Sequence, residues 1–192
     1  ELQYKALQRK KIIQEASMGH VEWIPLDADF MKEALEKLPF PLTNHQKITL
    51  FEILKDMERD ICMQRLLQGD VGTGKTIVAF LSLIHWIRWT GWLATRSEQV
   101  AYMAPTTILA TQVAKKLAEF LEPYGISSAL LLWSMKAKDK KDIKSSLKSG
   151  ELSVVVGTHA LITGDTEFRH LSYVIIDEQH RFGVEQREKL TE

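Results

Sequence analysis

A glycine-rich stretch between two apolar runs has the residue types that bind phosphate: RLLQGDVGTGKTIVAF, at residues 65–80. From Gly69 to Thr76 it matches the pattern G-x-x-x-x-G-K-[ST], between a predicted strand and a predicted helix. Glycines allow successive backbone N–H groups to face a phosphate, and a helix that begins there adds its positive N-terminal end. Lys75 can reach the β- and γ-phosphates, and the Thr76 hydroxyl can ligate Mg²⁺. The residues predicted to bind a nucleoside triphosphate here are Gly69, Asp70, Val71, Gly72, Thr73, Gly74, Lys75 and Thr76.

An apolar strand that ends in two adjacent acids, YVIIDEQH at residues 173–180, supplies groups that hydrolysis needs. Asp177 at the strand end can hold Mg²⁺, usually through water. Glu178 can orient or deprotonate the water that attacks the γ-phosphate. Two acids after a strand also occur in ordinary loops, but their combination with the glycine loop favours the catalytic interpretation. The two motifs together predict a nucleoside-triphosphate-hydrolysing P-loop domain in which Lys75, Asp177 and Glu178 are catalytic.

The elements that must position these residues alternate along the chain. Short apolar segments predict strands at 63–68, 100–104, 127–133, 152–157 and 172–177. Helical spacing predicts helices within 1–18 and at 27–38, 44–60, 75–89, 107–122 and 138–149. Asn44 is the candidate N-cap of the helix at 44–60. This alternation is typical of an α/β fold with a mostly parallel sheet that helices cover on both faces.

Composition restricts the class of protein further. The chain has 192 residues, and its 25 basic and 25 acidic residues give a formal net charge of zero, which is weak evidence against nucleic-acid binding. Residues 135–148 nevertheless contain six lysines and two aspartates, a pattern more typical of a solvated helix face than of a binding site. Cys62 is the single cysteine, which excludes an internal disulfide and fits a reducing cytosol.

No secretory signal opens the chain, and the apolar stretch 77–94 is expected to be a buried helix because it contains His85 and Arg88. We therefore expect a cytoplasmic protein with no membrane partner. The chain starts at Glu1 and stops at Glu192 in what reads as the middle of a helix. Both ends suggest a fragment of a longer protein.

Four segments carry a resemblance to the RecG branched-DNA helicase family of superfamily 2. They are RLLQGDVGTGKT (65–76), MAPTTILATQ (103–112), VVVGTHALI (154–162) and VIIDEQHRFGVEQR (174–187). The resemblance runs from about Pro39 to Arg187. It implies a three-layer, RecA-like P-loop ATPase lobe at 39–192, preceded by a helical connector at 1–38. It also implies ATP and Mg²⁺ as cofactors, branched or forked DNA as the partner of the full-length protein, and association with the bacterial nucleoid.

The resemblance implies further site residues. In the segment PFPLTNHQ (39–46), Gln46 would pair with the adenine edge and Phe40 would pack near the base. Two loops that resemble strand-gripping segments contain Pro105 with Thr106 and Thr158 with His159. These residues would contact DNA phosphates, although Thr106 and Thr158 can equally cap the turns that follow them.

Other implied roles concern coupling and the missing parts of the motor. His180 would couple the nucleotide state to the grip on DNA, and Arg181 would extend that coupling segment towards the nucleic acid. The family's second lobe and its N-terminal wedge domain do not fit within 192 residues. We therefore expect this chain alone to bind nucleotide with little turnover.

Two segments depart from the family pattern. The chain is longer before residue 100, where Trp86, Trp89 and Trp92 recur at helical spacing. Such spacing is more typical of a core or lobe interface than of a partner surface. Trp133 stands where the family tends to have a glycine in a threonine–glycine–serine turn. This difference puts a DNA contact at that turn in doubt, although Ser134 and the following lysines remain.

Other classes of protein stay open. A transcription–repair coupling translocase has a similar RFGV segment but tends to read D-E-E-H where residue 179 is Gln here. A transporter-type ATPase would need a signature like LSGGQ, which the sequence lacks. A nucleotide-binding P-loop domain without helicase activity is the remaining alternative.

Overall fold

The computed structural model describes residues 24–59, 62–70, 72–92, 98–158, 161 and 166–177, without the side chains of residues 91 and 92. The chain divides into two compact units, residues 1–85 and 86–192. The helices are α1 Ala28–Glu36, α2 Asn44–Met57, α3 Lys75–Trp92, α4 Thr107–Leu121 and α5 Ala137–Ser149. The strands are β1 Gln99–Met103, β2 Ser128–Leu131, β3 Val154–Gly157 and β4 Leu171–Ile176.

Side-chain caps fix where the helices of the first unit begin. Asp27 caps α1 by accepting a hydrogen bond from the Phe30 N–H at 2.9 Å. At α2 the predicted N-cap is wrong, because Asn44 is the first helical residue and Thr43 is the cap. Thr43 and Gln46 form a capping box, which needs a hydroxyl and a Glu or Gln three residues later. Asn44 is followed at that distance by Lys47, which cannot accept the reciprocal hydrogen bond.

The strand predicted at residues 63–68 is wrong. Residues 62–70 form neither a strand nor a helix in the structure. A strand exists only where a second backbone pairs with it. Within the described part of the first unit the regular elements are helices, so this apolar run has no strand partner there. None of residues 63–68 is buried, and Leu66 is 66% exposed, so the apolar composition of this run indicated neither burial nor strand pairing correctly.

The second unit contains the predicted parallel sheet. Among the described residues, four strands pair in the order β2-β3-β1-β4. All three pairings are parallel. Strand β1 pairs with β3 on one side and with β4 on the other, and β2 and β4 are the outer strands. Every residue of β1 and β3 is buried, as expected for strands covered on both faces. The carboxyl ends of the four strands therefore lie along one edge of the sheet.

A buried amide organises the opposite edge, where the strands begin. Gln99 is fully buried, and its Nε2 donates to the carbonyls of Leu147 and Leu152 at 2.9 Å each. Its Oε1 accepts from the His170 N–H at 3.1 Å. The Gln99 side chain therefore joins the end of α5 to the segments that precede β3 and β4, and it satisfies buried backbone groups in doing so.

Trp86, the first of the three spaced tryptophans, is partly buried and packs against β4. Its indole N–H donates to Ser172 Oγ at 2.8 Å, and its ring stacks on Tyr173 with centroids 5.3 Å apart. The core interpretation is therefore supported for Trp86. Trp89 is partly buried, and the side chain of Trp92 lies outside the described residues. Across the described part of the chain, no helix combines the length and apolar character that crossing a membrane requires.

A buried histidine in the first unit makes folding stability depend on pH. His85 is fully buried, and its Nε2 accepts a hydrogen bond from the Asp27 N–H at 3.2 Å. Burial lowers the pKa of His85 below 6.5, and the opposing effects of Asp27 and Glu58 are smaller. His85 is therefore neutral in the folded chain near pH 7, whereas the unfolded chain takes up a proton there more readily.

We predict that the free energy of unfolding is greatest above about pH 6.5 and falls as the pH is lowered further, because the unfolded state then binds more protons. Urea unfolding at pH 7.5 and pH 5.5 measures this loss. His85→Gln keeps an acceptor for the Asp27 N–H and should lose less stability on acidification than the wild type. His45→Gln removes an exposed histidine and should behave as the wild type does. Equal losses in the wild type and His85→Gln would contradict the prediction.

Candidate functional site

The phosphate-binding loop predicted at residues 69–76 contains two glycines in left-handed backbone conformations. φ is +85° at Gly72 and +77° at Gly74. Residues with a Cβ rarely adopt these values. At Gly74 a Cβ would also collide with the side-chain Nε2 of Gln46. A residue with a Cβ at position 74 would therefore strain the backbone and displace the Gln46 amide from its place against the loop.

Lys75, the first residue of α3, folds back over the start of this loop. Its Nζ donates to the carbonyl oxygens of Gly69 at 2.7 Å and Asp70 at 2.9 Å. Thr73 contacts the same region, because its Oγ1 donates to the Asp70 carbonyl at 2.8 Å. The loop thus holds an exposed ammonium group beside its own backbone. A phosphate oxygen is a stronger acceptor than these carbonyls and can take over the ammonium donors.

Gln46 connects helix α2 to the loop. Its Oε1 accepts from the Thr43 N–H at 2.8 Å, and its Nε2 donates to the Thr73 carbonyl at 2.8 Å. The structure therefore places the amide that was predicted to read adenine directly against the phosphate-binding loop. Phe40, the other predicted base-binding residue, is 49% exposed, so its ring has surface on which a base can pack.

Arg65 makes a second connection between α2 and the chain that leads into the loop. Its Nε donates to Asp56 Oδ2 at 2.7 Å, and its Nη1 donates to Glu52 Oε2 at 2.9 Å. The hydrogen bond to Asp56 raises the pKa of Arg65, with a smaller contribution from Glu52. Sequence reasoning missed this residue. A lone arginine in the apolar run MQRLLQ, with acids four residues apart on the preceding helix, was the available signal.

In the second unit, Asp177 lies at the carboxyl end of β4. Its N–H donates to the Met103 carbonyl at 2.8 Å, which continues the pairing with β1. The Tyr102 hydroxyl donates to Asp177 Oδ2 at 3.2 Å, so it restricts where the carboxylate lies. Sequence reasoning missed Tyr102. Its hydroxyl in the middle of a buried apolar strand could have been noticed, because such a group must find a polar partner.

Two of the segments predicted to grip DNA end neighbouring strands on the same edge of the sheet. Pro105 and Thr106 follow β1, and Thr106 is exposed and caps α4 by accepting from the Leu109 N–H at 3.3 Å. Thr158 follows β3 and is only 3% exposed, and its carbonyl accepts from the Leu161 N–H at 3.0 Å. The structure therefore brings these segments together with Asp177, and the capping role of Thr106 is confirmed.

The remaining predicted residues, Val71, His159, Glu178, His180 and Arg181, lie outside the described residues. Their roles stay predictions. Among the residues that the structure describes, no cluster of three or more His, Cys, Asp or Glu side chains could hold a metal ion.

This chain is similar in sequence to known helicases. Residues 43–192 match the DEAD/DEAH box helicase family. The ATP-dependent DNA helicase RecG of Aquifex aeolicus is 49% identical over 179 residues, which are 93% of this chain and 22% of that protein. RecG of Bacillus subtilis is 51% identical over 156 residues, which are 81% of this chain and 22% of that protein. The chain thus spans about a fifth of the length of these relatives.

Solved structures show the same fold. A structure of RecG bound to a three-way DNA junction is 42% identical with a TM-score of 0.74, and the match covers 90% of this chain and 23% of that one. A hypothetical ATP-dependent RNA helicase from Sulfolobus tokodaii is 18% identical with a TM-score of 0.58, and covers 80% of this chain and 42% of that one. The second likeness concerns the fold alone. The predicted RecA-like α/β fold and the resemblance to RecG are confirmed.

The family match covers most of the chain, and the matched residues include the glycine loop and Asp177 after β4. The chain therefore belongs to the DEAD/DEAH box helicase family, and over this segment it is similar to RecG.

Proposed function

We propose that the full-length protein is an ATP-dependent DNA helicase or translocase that remodels branched DNA such as stalled forks and recombination junctions. In this proposal the present chain is the ATP-binding lobe of the motor. The observation that carries the proposal is the phosphate-binding loop, in which Lys75 Nζ lies on the carbonyls of Gly69 and Asp70. The similarity to RecG, which is a DNA helicase and has been solved bound to a three-way DNA junction, supports the choice of DNA as the substrate.

The loop fits the triphosphate of ATP for three physical reasons. Gly72 and Gly74 have positive φ values, and turns of this kind can direct successive backbone N–H groups towards a phosphate. Lys75 provides a positive charge, and α3 begins at Lys75 with its N-terminal N–H groups beside the loop. Phe40 and Gln46 supply an apolar surface and an amide for the adenine base.

Hydrolysis requires a base and a metal ion in addition to the loop. Mg²⁺, when bound with ATP, would neutralise charge on the β- and γ-phosphate oxygens. Thr76 and Asp177 are the residues that we assign to metal binding, and Glu178 is the residue that we assign to orienting the attacking water. Tyr102 assists by holding the Asp177 carboxylate through its hydroxyl.

DNA would contact the carboxyl edge of the sheet in the second unit. Thr106 is exposed there and can donate its hydroxyl to a phosphate while it accepts the Leu109 N–H. Thr158 is buried, so its contribution would come mainly from positioning the chain that follows β3. Pro105, His159 and Arg181 complete the proposed DNA contacts, and His180 would couple them to the nucleotide.

The organisation of the full-length protein is part of the same proposal. Residues 1–38 would connect a wedge domain to the motor, and residues 39–192 would form its first RecA-like lobe. A second lobe elsewhere in the protein would supply the arginine finger, so the present chain alone would bind ATP with little turnover. The location would be the bacterial cytoplasm, in association with the nucleoid.

We predict that Lys75→Ala raises the Kd for Mg²⁺–ATP by at least about tenfold, because it removes a charged donor to phosphate. Isothermal titration calorimetry measures this change. Lys47→Ala, an exposed lysine on α2, is the matched control and should keep the wild-type Kd. Unchanged affinity in Lys75→Ala would remove the loop from the proposed site.

Tyr102→Phe should lower the rate of ATP hydrolysis by the full-length protein about three- to tenfold and raise the Mg²⁺ concentration at half-maximal rate, because the hydroxyl bond to Asp177 is worth about 1 kcal/mol. Tyr124→Phe removes a hydroxyl from the short 3₁₀ helix after α4 and serves as the control. A lower melting temperature with an unchanged Mg²⁺ dependence would show that Tyr102 acts on stability alone.

A further inference from the structure

Helix α2 contacts the chain both before and within the predicted phosphate-binding loop. Near the start of the helix, Gln46 Nε2 donates to the Thr73 carbonyl at 2.8 Å. Further along the helix, Glu52 and Asp56 accept hydrogen bonds from Arg65, which precedes Gly69 by four residues. One helix therefore contacts both ends of the segment 65–73.

The contact at Arg65 is directional, because two different carboxylates bind its guanidinium group. Nε lies 2.7 Å from Asp56 Oδ2, and Nη1 lies 2.9 Å from Glu52 Oε2. Glu52 and Asp56 are about one turn apart on α2, so they face the same side of the helix. A planar guanidinium group donates in fixed directions, and meeting both acids restricts its orientation. The two ion pairs together therefore fix where residue 65 lies along α2.

The chain before the loop depends on such side-chain contacts more than a strand or a helix would. Residues 62–70 form neither of these elements, so no regular backbone pairing holds them within the described structure. Leu66, the neighbour of Arg65, is exposed, so its burial cannot hold the chain in place either. The ion pairs of Arg65 therefore have a large share in placing this segment.

A nucleotide requires its two binding surfaces to keep a matching separation, because the ribose limits the distance between base and phosphates. The surfaces proposed for the base are Phe40 and Gln46, and the phosphates are assigned to the loop that contains Lys75. The hydrogen bond from Gln46 to Thr73 alone would leave the loop free to turn about that point. A second contact at Arg65 restricts this movement, and a fixed separation favours binding of both parts of one ligand.

We propose that Arg65 is a positioning residue for ATP, which holds the phosphate-binding loop where one nucleotide can contact the loop and the base surface together. Arg65 does not touch the nucleotide and acts through the chain that leads to Gly69. The inference rests on the proposed function and deepens it, because it gives α2 the task of matching base binding to phosphate binding. Without Arg65, each surface remains but the two are no longer held in register.

The test compares two ligands of the full-length protein by isothermal titration calorimetry. They are Mg²⁺–ATP and Mg²⁺–tripolyphosphate, which has the three phosphates but no base. The wild type should bind ATP more tightly than tripolyphosphate. Arg65→Gln should reduce this preference about three- to tenfold by weakening ATP binding. Its affinity for tripolyphosphate should equal that of the wild type, because Lys75 and the loop backbone remain, and this equality also shows that the variant is folded.

A second arginine on the same carboxylate provides the matched control. Arg59 Nη1 lies 3.6 Å from Asp56 Oδ1, three residues away at the end of α2. Arg59→Gln therefore removes a charge beside Asp56 without touching the chain before the loop, and it should keep the wild-type preference for ATP. Asp56→Asn should reduce the preference, and adding it to Arg65→Gln should cause little further loss, because that contact is already gone.

The remaining outcomes separate this inference from the proposed function. An unchanged preference for ATP in Arg65→Gln, with both ligands weakened by Lys75→Ala, would overturn the positioning role and leave the proposed function intact. Equal weakening of ATP and tripolyphosphate in Arg65→Gln would also overturn it, because the loss would not depend on the base. Equal losses in Arg59→Gln and Arg65→Gln would do the same. Failure of the wild type to bind Mg²⁺–ATP would overturn the proposed function and this inference together.

Discussion

Parallel pairing of β1 along both of its edges is the constraint on which the second unit depends. Val100 to Met103 pair with Val154 to Gly157 on one side and with Tyr173 to Ile176 on the other. Because all strands run the same way, the segments after β1, β3 and β4 meet at one edge. A shift of one residue would turn every side chain of a strand to the other face, and Tyr102 would then lose Asp177.

Helix α2 has the corresponding role in the first unit. It contacts the phosphate-binding loop through Gln46 and the chain before the loop through the carboxylates of Glu52 and Asp56. Ion pairs as exposed as these contribute little to stability, so their effect is mainly to fix geometry. Oε1 and Nε2 of Gln46 each make one of the two hydrogen bonds open to them, so a base edge could pair with Gln46 while its bond to the Thr73 carbonyl stays in place. Base binding at this residue would therefore act directly on the loop that we propose binds phosphate.

Features that depend on neighbouring residues could be predicted from the sequence. The glycine loop, most helices and the parallel character of the sheet follow from local patterns, and the structure has them. Features that depend on distant residues could not. Tyr102 and Asp177 are 75 residues apart, and neither sequence segment indicates that these two side chains form a hydrogen bond. The strand predicted for the apolar run at 63–68 was wrong for the same reason. A strand needs a second backbone to pair with, and the composition of the run does not show whether one is present. The N-cap of α2 is Thr43, one residue before the predicted Asn44. The capping box that Thr43 forms with Gln46 determines this position.

The central claim is that residues 69–76 bind the phosphates of ATP, and a crystal structure of the chain with Mg²⁺ and a non-hydrolysable ATP analogue tests it most directly. We expect Lys75 Nζ to leave the carbonyls of Gly69 and Asp70 and to lie about 2.7–2.9 Å from phosphate oxygens. Backbone N–H groups between Gly72 and Thr76 should donate to the same phosphates. An analogue bound elsewhere, with Lys75 still on those two carbonyls, would contradict the account.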